Sequence, residues 1–129
     1  MSRYLLLLAL AAVGCGESLD QRIDRAMDGC VAARNPVFVA GGGETALDTP
    51  LPPAVDSLAS TLAYKYPFEV FREIATTAKT QAILTCALEL GARYDDWETR
   101  QWLRTYQQHP SPAVAIAATR LLGPAASKR

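Results

Sequence analysis

KTQAILTCALELG, residues 79 to 91, is the stretch that decides how the chain folds. Ala82, Ile83, Leu84, Cys86, Ala87, Leu88 and Leu90 leave Gln81, Thr85 and Glu89 as its polar positions after the opening Lys-Thr, and those three sit four apart on one narrow line. A helix apolar on nearly every other face is a buried one. The stretch therefore predicts the central rod of a small helical domain, with Thr77 as its N-cap and Gly91 as its C-terminal stop.

Outward from the rod, the apolar spacing continues to be helical. On the amino-terminal side, Phe68, Phe71, Ile74, Ala75 and Ala78 share one face of a helix that starts after a break at Tyr66 and Pro67. Before it, Pro53 in a first turn opens a weaker helix with Val55, Leu58, Ala59 and Leu62 inward. Earlier still, Ser18 and Gln21 have capping-box spacing, and Leu19, Ile23, Ala26, Met27, Cys30 and Val31 form a stripe that predicts a helix to about Arg34. Asn35 and Pro36 are expected to end it. Residues 36 to 52 then read as an irregular loop: three glycines, Gly41 to Gly43, lack the Lys-Ser/Thr of a phosphate loop, and an Asp-Thr-Pro turn follows.

On the carboxyl-terminal side, Asp95 and Glu98 have capping-box spacing before a helix that carries Trp102, Leu103 and Tyr106 and ends ahead of Pro110. Ser111 and Pro112 open a last helix with Val114, Ile116, Ala117, Leu121 and Leu122, which Gly123 and Pro124 stop, leaving 124 to 129 as a frayed tail. No pair of period-two runs exists to make a sheet, so the fold class is all-α.

The 129 residues, 50% hydrophobic and with formal net charge +0, suit one globular domain and offer no basic footprint for nucleic acid. The first residues are set apart. Met1 to Arg3 is a short positive segment, Tyr4 to Val13 is apolar, and a bilayer crossing would need about 20 such residues. Residues 1 to 14 read as an export signal. Leu10, Ala12, Val13, Gly14 and Cys15 resemble the signal of a bacterial lipoprotein, in which a Cys after a small residue is lipidated and becomes the new amino terminus. That resemblance implies lipid attachment at Cys15, a tether over 15 to 17, and a membrane-held domain from 18 to 123. Gly16, where Asp would signal inner-membrane retention, favours the outer membrane. An ordinary secretory signal cut after Ala11 or Gly14, or a retained apolar helix, are the alternatives.

Sliding the chain by the difference between positions 70 and 102 aligns Val70, Phe71, Arg72 and Ile74 with Trp102, Leu103, Arg104 and Tyr106, and Leu84, Cys86, Leu90 and Gly91 with Ile116, Ala118, Leu122 and Gly123. Two helical hairpins with matching bulky and small positions emerge. With HPSPAVAIAATRLLG, residues 109 to 123, this resembles a HEAT-type repeat of about 32 residues. The resemblance implies two stacked αα-hairpins, capped by the earlier helices, that bind protein on a helical surface.

For chemistry the sequence offers little. Asp95, Asp96 and His109 are the candidate catalytic groups of an alternative reading as a small envelope hydrolase, yet each also fits a helix end, and neither zinc spacing nor a nucleophile elbow is present. The reading favoured is a non-catalytic, lipid-anchored module that binds another envelope protein, with no cofactor, no metal, no small-molecule ligand and no nucleic-acid partner. Cys30 and Cys86 are either a disulfide or two buried free thiols. Trp102 belongs to the core by its alignment with Val70, whereas Trp97 has less to bury it. Trp97 either folds over the Gly91 to Tyr94 turn and packs there or stands exposed, and for the second case Trp97, Arg93 and Arg100 are the candidate partner contact.

Overall fold

The computed structural model describes residues 18 to 63 and 68 to 127, and these form an all-α fold with no strand among them. Six α-helices follow in order: α1 (Leu19–Val39), α2 (Pro53–Leu62), α3 (Glu69–Thr77), α4 (Gln81–Gly91), α5 (Trp97–Tyr106) and α6 (Pro112–Ser127). Two 3-10 turns, Gly43–Asp48 and Ala92–Tyr94, join α1 to α2 and α4 to α5. The expected break at Tyr66 and Pro67, the export signal and the tether lie outside the described residues.

Helix α4 is central: α1, α3 and α6 all pack against it. Ala82 and every residue from Leu84 to Gly91 are buried, so the polar line is partly internal. Gln81 reaches out to the Ser111 hydroxyl, while Thr85 and Glu89 turn inward. Beside the rod, Phe68 and Tyr106 meet the Trp102 ring edge to face at 4.8 and 5.7 Å between centroids.

Several details of the helix ends differ from the sequence expectation, each for a local reason. Helix α1 runs through Pro36 to Val39. Pro36 removes one intrahelical donor, but Ala32, whose carbonyl loses that partner, is exposed with Pro36 on the wet side of the helix, so water can substitute. The helix is closed instead by Gly41 at φ +86, where the amides of Gly41 and Gly42 return to the carbonyls of Phe38 and Val37 in a Schellman pattern. The loop expected to be irregular is thus a helix end followed by an ordered 3-10 turn. That turn packs on both α1 and α6, with Ala46 buried and Asp48 paired to Arg120.

The N-cap of α4 is Thr80, not Thr77, because only Thr80 has the extended backbone (φ −133, ψ 160) that lets its hydroxyl accept the Ile83 amide. Thr77 closes α3, donating its hydroxyl back to the Glu73 carbonyl. Gly91 does not stop α4 in a left-handed turn; its φ is −65, and its smallness serves contact, since a Cβ there would come within 2.8 Å of the Trp102 ring. The left-handed residue is Asp95 at φ 48, and Asp96 rather than Asp95 caps α5 by accepting the Thr99 amide at 2.8 Å. Last, α6 bends at Gly123 (φ 82, ψ 165) and its helical backbone resumes to Ser127 where a frayed tail was expected.

Between the two halves aligned above, Phe71 and Leu103, Cys86 and Ala118, and Leu90 and Leu122 are buried in pairs. Gly91 and Gly123 break the correspondence, the first being helical and the second kinked.

Candidate functional sites

Along α1 the buried stripe Ile23, Met27, Cys30 continues with a spacing of four to Arg34, a guanidinium only 1% exposed. Such a group needs anions or carbonyls on every donor. Glu89 of α4 supplies both carboxylate oxygens, Oε1 taking Nε–H at 3.0 Å and Oε2 taking Nη2–H at 2.7 Å. The remaining nitrogen, Nη1, donates to the carbonyls of Ala46 (2.7 Å) and Thr49. One side chain therefore fastens the 3-10 turn and α4 to α1.

One turn back along both helices, Cys30 and Cys86 are joined in a disulfide with Cα atoms 5.9 Å apart. Both cysteines are fully buried. Closing a loop with a sequence separation of 56 stabilises the fold by about 4 kcal/mol in the chain-entropy account. Glu89 Oε1 lies 3.6 Å from Cys30 Sγ. A disulfide sulfur has no proton to give, so this is packing and not a hydrogen bond. The three residues bring metal-ligand atoms within 4.8 Å of one another, but the sulfurs are spent on each other and the carboxylate on Arg34. The donor set suits cross-linking.

Just past the carboxyl-terminal end of α4 the nominated contact residues surround the α4–α5 connection. Trp97, the first residue of α5, is 75% exposed. Arg93 turns back to α2, donating to the Ser60 hydroxyl at 2.8 Å and to the carbonyl and carboxylate of Asp56. Arg100 donates to the Leu122 carbonyl at 3.2 Å and to Asp95 at 3.3 Å. The two arginines brace the connection from both sides, and the indole stands out from it.

Asp95, Asp96 and His109 do not converge. Asp95 and Asp96 precede α5 and His109 follows it, so the ten residues of that helix, about 15 Å, lie between them. The Thr99 amide holds the Asp96 carboxyl below the usual carboxylate range, as a cap does. His109 stacks on Tyr106 (6.1 Å between centroids), and its Nδ1 accepts the Ser111 amide at 3.0 Å. It serves the start of α6 as an acceptor rather than donating to the exposed carbonyls of the preceding helix. Tyr94, half-buried at the α4–α5 connection, has its phenol pushed up to about 12 by burial and then by Glu69.

Sequence reasoning missed the Arg34–Glu89 clamp, although the signal was present: Arg34 falls in register on an apolar stripe, and Glu89 sits three residues after Cys86 on the rod. Cys15 lies outside the described residues, and no helix among those described is long and apolar enough to cross a membrane. Compared with known protein families, curated proteins and solved structures, the chain has no match.

Proposed function

We propose that this protein is a lipid-anchored module of the bacterial cell envelope that binds another envelope protein through the α4–α5 connection, without catalysis of its own. The observation that carries the proposal is Trp97, 75% exposed at the start of a helix whose connection is pinned by Arg93 and Arg100. A large aromatic that gains nothing from the fold, on a frame that does not need ordering on contact, is the usual composition of a binding hot spot. The lipobox-like residues ending at Cys15 support the anchor, and the paired burial of the two hairpins supports a HEAT-like ancestry for the scaffold. The separation of Asp95 and Asp96 from His109 by the length of α5 argues against the hydrolase reading built on those groups.

The test is affinity capture from detergent-solubilised envelope, with wild type, Trp97→Ala and Cys15→Ala compared. Trp97→Ala should lose a partner that wild type retains, at a cost of about 2 kcal/mol or more in affinity. Cys15→Ala should leave the membrane fraction. An unchanged set of captured proteins from Trp97→Ala refutes the contact, and unchanged membrane partitioning of Cys15→Ala refutes the anchor.

A further inference from the structure

Near the amino-terminal end of α4, the helices α1, α3 and α4 line an open groove of about 460 Å³. Met27 and Val31 of α1, Ile74 of α3 and Ile83 of α4 line it, and Asp24 and Asp28 stand on its rim. The volume falls in the range that small-molecule sites occupy, and such sites pair an apolar lining with a few polar groups. The rim is the informative part. Asp24 and Asp28 lie one helical turn apart, and neither takes part in an ion pair or hydrogen bond among the described residues. Arg25, on the same helix, lines with Asp28 a second groove between α1 and α2, and has an interaction of its own that involves neither Asp24 nor Asp28. The sequence had suggested no small-molecule ligand.

We propose that this groove binds a small amphiphilic organic cation, an ammonium-type head carried on a short aliphatic body, with Asp24 and Asp28 receiving the head and Met27, Val31, Ile74 and Ile83 receiving the body. Charge complementarity selects this occupant. Two like carboxylates four apart on a helix repel each other, and a cation between them relieves that repulsion. A neutral apolar ligand would leave the rim as it is, and an anion would add to the repulsion. This site is separate from the Trp97 surface, since Ile83 and Gly91 mark opposite ends of α4.

The measurement is methyl NMR of the full chain in nanodiscs of zwitterionic lipid, titrated with hexylammonium, hexanol and hexanoate. Hexylammonium should shift the Met27, Val31, Ile74 and Ile83 methyls, bind about tenfold tighter than hexanol, and lose that advantage in the Asp24→Asn/Asp28→Asn variant. Hexanoate should bind more weakly than hexanol. Equal affinity for hexanol and hexylammonium, or a preference that survives the double variant, overturns the proposal. So does concentration dependence of these methyls without ligand, which would place a second copy of the chain in the groove. A Lys/Leu helical peptide that shifts them where hexylammonium does not would likewise give the groove to a partner helix.

Discussion

Replacing one member of the Arg34–Glu89 pair should cost more than replacing both. The Arg34 and Glu89 side chains are 2% and 10% exposed, so neither charge can turn to bulk water when its partner is removed. Leaving a buried charge uncompensated costs about 3–5 kcal/mol. Glu89→Gln keeps an acceptor near the guanidinium and leaves the Ala46 and Thr49 carbonyls bonded, so it should fall at the lower end, about 3 kcal/mol. Arg34→Met strands the carboxylate and orphans both carbonyls, and about 5 kcal/mol is expected. In Arg34→Met/Glu89→Leu no buried charge remains, and only the two carbonyls are unsatisfied, for about 2 kcal/mol. A domain of this size holds about 5–15 kcal/mol in all, so either single variant consumes a large share. Urea unfolding followed by circular dichroism, with the disulfide oxidised in every sample, measures the three differences. A double variant that costs as much as the sum of the single ones, or an Arg34→Met that costs under about 1 kcal/mol, refutes the clamp.

Converting both Cys30 and Cys86 to Ser should lower stability by about 4 kcal/mol in the same assay, with most of the change arising in the unfolded chain. Gly91→Ala places a methyl within 2.8 Å of the Trp102 ring and 3.3 Å of Phe71 Cβ, and should cost about 1–3 kcal/mol. Gly41→Ala meets no atom within 4 Å but must hold φ +86, so about 1 kcal/mol is expected from backbone alone, and a thermal melt separates the two. Tyr94 titrates near 12 when folded and at the ordinary 10.0 when unfolded. Since its folded value is raised, its contribution is intact below pH 10 and is lost as pH climbs towards 12, which ultraviolet titration and alkaline unfolding both read. Glu69→Gln should bring the folded value down.

What the sequence made legible was periodicity. The rod at 81 to 91 is nearly all apolar, and the stripes of the flanking helices have unmistakable spacing, so the all-α class and the central place of α4 could be read directly. Boundaries were less legible because they depend on where a backbone can find water or a partner. At Pro36 the helix continues because the orphaned Ala32 carbonyl is on the exposed side, and Gly41 reveals itself as a terminator only once the helix is allowed to reach it. At Gly91 two roles of glycine compete, and the contact with Trp102 from another helix settled the matter. The buried clamp was hidden for a similar reason: Arg34 and Glu89 lie 55 residues apart, and an arginine at a helix end reads as surface until an acid is found facing it. Trp97 was the reverse case, since its exposure depended on the absence of a neighbour that no local pattern could establish.

The Cys30–Cys86 bond has a consequence for how the protein meets proteases. The turn at 78 to 80, between its two ends, is exposed over most of its length and is the kind of segment that proteases cut. A cut there leaves the amino-terminal piece bearing α1 and the carboxyl-terminal piece bearing the rod still covalently joined, with Arg34 and Glu89 face to face. A nicked molecule would therefore migrate as one chain until reduced, and the anchor proposed at Cys15 would still hold Trp97.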